Sequence, residues 1–365
     1  MYPFDAGLDY VRNAWYVAGW SADFGAELVA RRYLDEPVVV YRSTSGTPVA
    51  LADRCAHRAY PLSAGTRDGD TLVCGYHGFA YDCTGKCVAI PSQPHVPAAY
   101  GVRSYPTLER AGIVWIWMGD AAGADAALLP DLTELGFTDP NFHSASGGTK
   151  FVQCRYELLN ENLLDLSHIG FLHPGSIGTP HVGQFPVVTS ADATVVEATR
   201  TIYNDEGTPF HAAAVGIEGR MDRTTRSVFF APGAHVTHVT MVAPGSGAAH
   251  GTPGYFGEFK IVHLITPSSA HETYYFWAFN RTARTDETTS AYMRDAFDHV
   301  FGQDSAALER QELRLRDDPS FRELSCKADE APLKARRLLA GMMLSEKSAP
   351  SSARFLAAAS TRRTS

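Results

Sequence analysis

Four residues near the start of the chain have the types and spacing of a metal centre. They are Cys55 and His57 in Cys55-Ala56-His57, and Cys74 and His77 in Cys74-Gly75-Tyr76-His77. Sixteen residues lie between His57 and Cys74, so the pattern reads C-x-H, a spacer, then C-x-x-H. Two thiolates and two imidazoles on paired loops can hold a [2Fe–2S] cluster, with the cysteines on one iron and the histidines on the other. Neutral imidazoles make such a cluster easier to reduce, at about −150 to +300 mV against about −400 mV for the all-cysteine type. A structural zinc ion also accepts two Cys and two His. Zinc fingers, however, keep the cysteines together and the histidines together, whereas here each loop carries one of each. The pattern points to a cluster that passes single electrons.

The elements that must position these loops are a small part of the whole. A chain of 365 residues suits two domains of about 100–200 residues each. With 45% hydrophobic and 20% charged residues, it has the composition of a globular protein with full cores. A net charge of −8 argues against nucleic acid and against anionic membranes as partners, since both attract basic patches. The first residues lack a basic segment followed by an apolar one, so a secretion signal is not expected. Arg31-Arg32 lead into Tyr33-Leu34-Asp35-Glu36-Pro37 rather than an apolar run, which argues against twin-arginine export. No apolar stretch reaches membrane-spanning length, and the expected location is the cytoplasm. In that reducing compartment Cys83, Cys87, Cys154 and Cys326 are expected to be free thiols.

Residues 1–120 read as a small antiparallel β-domain with the ligand loops at its tip. Its strand signals are Pro37–Arg42, Pro48–Ala52, Thr71–Gly75, Gly78–Asp82 and Ile113–Met118. The small-residue stretch Gly119–Pro130 marks a boundary. A second domain is expected over 121–347. Its strands fall at Lys150–Tyr156, Thr194–Tyr203, Arg226–Ala231, His235–Val242, Glu258–Thr266 and Thr273–Asn280. Helical periodicity covers Glu157–Leu172, Thr288–Arg316 and Ala331–Ser345. Sheet with segregated helices gives an α+β fold. Residues 348–365 are small and polar and read as a tail.

A second constellation sits in the first of those helices, where Asn162, Asp165, His168 and His173 lie beside an apolar stripe. His168 and His173 are five positions apart, about 140° on an ideal helix. One metal reaches both only if the helix loosens between them, which Gly170 permits. Otherwise the two histidines merely cap or pack a helix end.

A two-loop cluster joined to a domain carrying D-x-x-H-x-x-x-x-H resembles the Rieske non-haem iron oxygenases, and most closely their vanillate O-demethylase and dicamba monooxygenase branch. Matching blocks include Asn13–Ala18, Arg58 with Pro61-Leu62-Ser63, Gly75–Gly78, Ile113–Trp117, Asn162–His168 and Leu324-Ser325-Cys326. Ala56 departs from the proline usual in the family. The resemblance implies a helix-grip-like catalytic domain and a mononuclear Fe(II) on His168, His173 and a distant aspartate. The block Gln303–Glu312 makes that aspartate Asp304, with Asp295 and Asp298 as exposed helix carboxylates. It also implies a terminal oxygenase fed with NAD(P)H electrons by a separate reductase, in keeping with the lack of a G-x-G-x-x-G nucleotide loop. The implied assembly is a head-to-tail homotrimer, closing as a ring. There Asp165 bridges His168 to the cluster ligand His77 of the partner subunit, and Asn162 lies near the open iron face. The branch implies O₂-dependent O-demethylation of a methoxylated aromatic acid such as vanillate, with His263 on the strand Phe259–Thr266 as the candidate for binding the substrate carboxylate and a satisfied core histidine as the equal alternative for it. His235 and His238 fall on opposite faces of a strand. Hydroxylation of a ring or methyl group would use the same ligands. A pure electron-transfer protein would need only the cluster half.

Overall fold

Short runs of β-branched and aromatic residues, cut by Gly, Pro and Asp, build the first third of the chain. The structure is a computed structural model that describes Phe4 and residues 7–348. Its strands begin with β1 (Trp15–Trp20), β2 (Val29–Tyr33), β3 (Glu36–Arg42), β4 (Pro48–Ala52), β5 (Thr66–Asp68) and β6 (Thr71–Val73). They continue with β7 (Ala80–Tyr81), β8 (Cys87–Ala89), β9 (Ser104–Tyr105), β10 (Thr107–Arg110) and β11 (Ile113–Trp117). Three antiparallel sheets result, ordered β1-β11-β10, β2-β3-β4-β9 and β5-β6-β7-β8. The first ligand loop joins β4 to β5 and the second joins β6 to β7. Cys55 and Cys74 root in a core of Val39, Tyr41, Leu51, Leu62, Leu72 and Tyr81.

The second sheet system has seven antiparallel strands in the order β12-β18-β17-β16-β15-β14-β13. These are β12 (His143–Val152), β13 (Val188–Ala191), β14 (Val195–Asp205), β15 (Met221–Phe230), β16 (Ala234–Val242), β17 (Tyr255–Ser269) and β18 (Glu272–Arg281). The helices are α1 (Tyr156–Leu164), α2 (Ile169–Leu172), α3 (Pro209–Val215), α4 (Glu287–Asp317) and α5 (Glu330–Ser348). The α+β class stands. The cluster half is tied to β17, where Thr266 Oγ1 donates to Val17 O at 2.8 Å and the Leu34 N–H donates to Pro267 O at 2.9 Å.

What positions the second constellation is the seating of α4 on the sheet. Met293, Phe297, Val300, Phe301, Asp304 and Leu308 are its buried residues along one face, the 3.6-residue stripe of an amphipathic helix. Phe297 and Phe301 stack at 5.8 Å, and Trp277 of β18 meets Phe301 edge-on at 5.2 Å. Trp277 fits because β12 is bare there: a Cβ on Gly147 would lie 1.9 Å from the Trp277 carbonyl oxygen.

Several boundaries differ from those expected. The helix expected over 157–172 breaks after Leu164 and resumes as the single turn α2. The break lies upstream of Gly170. It has a local cause, since the Ser167 N–H donates to Asp165 Oδ1 at 2.6 Å, and an Asp side chain closing on its own backbone competes with the helix. The strand expected at Lys150–Tyr156 ends at Val152, while Tyr156 opens α1. Neither β13 nor α3 was foreseen. The expected tail lies outside the described residues except for Ser348, which closes α5. Among the described residues no helix is long and apolar enough to cross a membrane.

The α4 stripe gives a stability contrast. Phe297, 1% exposed, should cost about 3–5 kcal/mol when changed to Ala. Asp298, exposed and paired with Lys150 at the surface, should cost under about 1 kcal/mol. Chemical denaturation of the two variants measures both.

Candidate functional site

The two ligand loops share one backbone pattern. The Cys55 N–H donates to Tyr60 O at 2.8 Å and the Ala59 N–H to Cys55 O at 2.9 Å. In the second loop the Cys74 N–H donates to Phe79 O at 2.8 Å and the Gly78 N–H to Cys74 O at 3.0 Å. Each pattern tucks a cysteine inward and leaves a histidine outward, so both thiols are buried while His57 and His77 are exposed. The imidazole rings lie 4.6 Å apart, edge to face. Burial pushes the Cys74 thiol up, against the backbone N–H groups of Tyr76 and His77 that favour its thiolate. A coordinated metal deprotonates a thiol outright, so a pair of buried, interacting cysteines on the same two loops as a pair of adjoining imidazoles suits a [2Fe–2S] cluster. Ala56, where the family usually has proline, donates its N–H to the Tyr81 hydroxyl at 3.1 Å. That hydroxyl lies 3.1 Å from Cys55 Sγ. A proline would have no hydrogen to give.

The second constellation assembles around one oxygen atom. His173 Nε2 lies 3.0 Å from Asp304 Oδ1, His168 Nε2 lies 3.5 Å from it, and Asn162 Nδ2 donates to it at 3.2 Å. The donor atoms of His168, His173 and Asp304 all fall within 4.8 Å of one another. His168 caps the start of the single turn α2 and His173 caps its end, where the backbone leaves helical geometry at φ −119°, ψ 45°. Asp304 is 5% exposed and His173 1%. Burial opposes charge on His173, but the hydrogen bond and charge of Asp304, helped by Gln303, outweigh it and hold the imidazole above its ordinary range. A divalent cation placed there would satisfy the carboxylate and both nitrogens at once. Two His and one carboxylate meeting on one side of such a point is the facial triad of non-haem iron sites.

Comparison with known proteins gives the family of each half of the chain. Residues 14–106 match the Rieske [2Fe-2S] domain, and residues 152–345 match the vanillate O-demethylase oxygenase C-terminal domain. The chain is a Rieske non-haem iron oxygenase. It is 32% identical over 358 residues to the vanillate O-demethylase oxygenase subunit of Pseudomonas sp. strain HR199, covering 96% of this chain and 100% of that one. It is also 32% identical to a toluene-4-sulfonate monooxygenase iron–sulfur subunit of Comamonas testosteroni, with 92% and 98% of the chains covered. A crystal structure of dicamba monooxygenase bound to 3,6-dichlorosalicylic acid superposes with a TM-score of 0.85 at 28% identity, covering 93% and 100%. An oxygenase of this family carries a Rieske cluster and a mononuclear iron, and draws its electrons from a separate reductase.

The oxygenase places the other anticipated residues unequally. Asp165 lies beside His168, with Oδ2 3.4 Å from Nδ1. Asp295 and Asp298 face solvent. His235 is buried against Asn160 at 2.9 Å, while His238, on the other face, meets Glu258 at 2.7 Å. His263 is buried with both ring nitrogens engaged, by the Tyr275 hydroxyl at 2.7 Å and the Thr237 hydroxyl at 3.2 Å. Burial holds it neutral, with a pKa near 3. Contact with a substrate would require one hydroxyl to give way. Two neighbours were not foreseen. Gln303 Oε1 lies 2.8 Å from His173 Nδ1, and Arg200 donates to Leu166 O at 2.6 Å inside the helix break. Both partners are remote in sequence, although Gln303 adjoins Asp304.

The shared loop pattern needs a positive φ at its fifth residue, met by Ala59 at 54° and Gly78 at 70°. Ala59→Gly should stabilise the cluster loop by about 1 kcal/mol by relieving that strain. Gly78→Ala should destabilise it by at least as much, since a Cβ there would lie 2.8 Å from Pro91. Thermal bleaching of the cluster's visible absorption should shift upward for the first variant and downward for the second.

Proposed function

We propose that this chain is the terminal oxygenase of a monooxygenase that O-demethylates a methoxylated aromatic acid of the vanillate kind. The observations that carry the reading are the convergence of His168, His173 and Asp304 and the 32% identity to a vanillate O-demethylase oxygenase subunit across 96% of this chain. In this reading His168 and His173 offer Nε2 lone pairs and Asp304 a charge to the iron. Cys55, His57, Cys74 and His77 hold the cluster. When bound, the iron supplies oxygen activation and the cluster supplies single electrons.

The overall reaction takes a methyl aryl ether, O₂, two electrons and two protons. One oxygen atom enters a methyl C–H bond and the other leaves as water. The resulting hemiacetal breaks its methyl C–O bond, the hydroxyl proton passes to the phenolate, and phenol and formaldehyde leave. The Asn162 amide, already donating to Asp304 Oδ1, orients that carboxylate. Asp165 is proposed to take a hydrogen bond from His77 of the partner subunit in a head-to-tail trimer. Its position against His168 and the exposure of Tyr76 and His77 at the loop tip support this. Domain limits of 1–120 and 121–347 and a cytoplasmic location belong to the same reading. His263, being neutral, would bind a substrate carboxylate by donating a hydrogen bond rather than by pairing charge.

A second reading, hydroxylation of a ring methyl on an aryl acid, is favoured by the equal identity to the toluene-4-sulfonate monooxygenase subunit. Turnover with a surrogate reductase separates the two. O-demethylation releases formaldehyde in step with substrate and O₂ consumed, whereas methyl hydroxylation gives a benzylic alcohol and none. His263→Ala should raise KM for the acid more than for a neutral analogue such as guaiacol. If methoxybenzoates neither turn over nor stimulate NAD(P)H oxidation, the demethylase reading is wrong.

A further inference from the structure

The hydrogen bond between His173 and Gln303 has no part in the reaction as described above. Gln303 directly precedes Asp304 on α4, so a single helix turn brings two groups to one imidazole. The Asp304 carboxylate faces Nε2 at 3.0 Å and the Gln303 amide oxygen faces Nδ1 at 2.8 Å. The other imidazole is held differently, because the outer nitrogen of His168 meets the carboxylate of Asp165 at 3.4 Å. One ligand thus has an anionic outer partner and the other a neutral one.

The chemistry of the amide fixes the sense of the bond. Oε1 only accepts, so Nδ1 must carry its hydrogen and Nε2 is left to face the site. An outer carboxylate would orient the ring equally well but would raise its basicity as a ligand. It would also place a second negative charge beside the buried Asp304, a like-charge contact that disfavours both ionised forms. We propose that Gln303 is a positioning residue for the mononuclear iron. It locks His173 in the tautomer that presents Nε2, and its neutrality confines the outer negative charge to the Asp165 side. The inference rests on the assignment of His168, His173 and Asp304 as the iron ligands.

The test uses the full-length holoenzyme and the variants Gln303→Leu, Gln303→Glu and His173→Ala. Loss of mononuclear iron to a ferrous chelator is timed, with the cluster's visible spectrum as the internal standard of folding. The EPR spectrum of the ferrous site's nitric oxide adduct reports ligand character. Gln303→Leu should release iron about 10–100-fold faster than wild type with the cluster intact. Gln303→Glu should retain iron but change the nitric oxide spectrum, because its carboxylate makes His173 a stronger donor. Release from Gln303→Leu within about twofold of wild type would overturn the proposal, since loss of an outer partner ordinarily costs tenfold or more. A wild-type nitric oxide spectrum from Gln303→Glu would overturn it independently, even if Gln303→Leu failed to fold. Retention of mononuclear iron by His173→Ala would overturn the ligand assignment itself, and the role of Gln303 with it.

Discussion

A carboxylate set into the buried apolar stripe of a helix is destabilising unless charge or hydrogen bonds meet it, and in this protein that demand falls on Asp304. Every neighbour of its Oδ1 atom answers the demand. His173, His168 and Asn162 all direct nitrogen at that one oxygen. Three separate features bring them there. The α4 stripe seats Asp304 one turn beyond Phe301, the single turn α2 carries His168 at its start and His173 at its end, and α1 carries Asn162 beside them. A leucine at position 304 would suit the apolar stripe, but it would leave the inner nitrogens of both imidazoles without a carboxylate.

The two ends of the molecule solve the same problem in different materials. At the cluster end the buried groups are thiols, and the imidazoles are the outward members. At the iron end the carboxylate and His173 are buried while His168 remains partly open, with Asp165 behind it. A partly open imidazole backed by a carboxylate is a natural entry point for an electron arriving from outside the subunit. The closed imidazole backed by an amide is a natural anchor. This division gives the proposed head-to-tail assembly a structural reason for choosing the His168 side.

How much of this was legible in the sequence depended on how locally each feature is encoded. The proposed cluster ligands stand out because C-x-H and C-x-x-H are each local, and the loop pattern that repeats between them is itself local. The long helices were nearly right because the stripe of Met293, Phe297, Phe301 and Leu308 persists over several turns. Asp304 stood out only with the family resemblance in hand, although its place inside that stripe is a signal that Asp295 and Asp298 lack. The helix break falls earlier than the loosening expected at Gly170, because Asp165, Leu166 and Ser167 look helical by periodicity. What interrupts them is a side-chain bond and an Arg200 contact 34 positions away. The Gln303 bond to His173 spans 130 positions and no spacing rule reaches that far. The hydroxyls that occupy both nitrogens of His263 belong to Tyr275 and Thr237 on other strands, out of reach of any local reading.

The most direct measurement is the iron stoichiometry of Asp304→Ala beside wild type, with the cluster quantified separately by EPR. Wild-type protein should hold about three irons per chain, two in the cluster and one mononuclear. The variant should fall to about two, with its cluster signal unchanged, because the carboxylate that closes the triad is gone. An Asp304→Ala protein that keeps its full complement of iron would contradict the account.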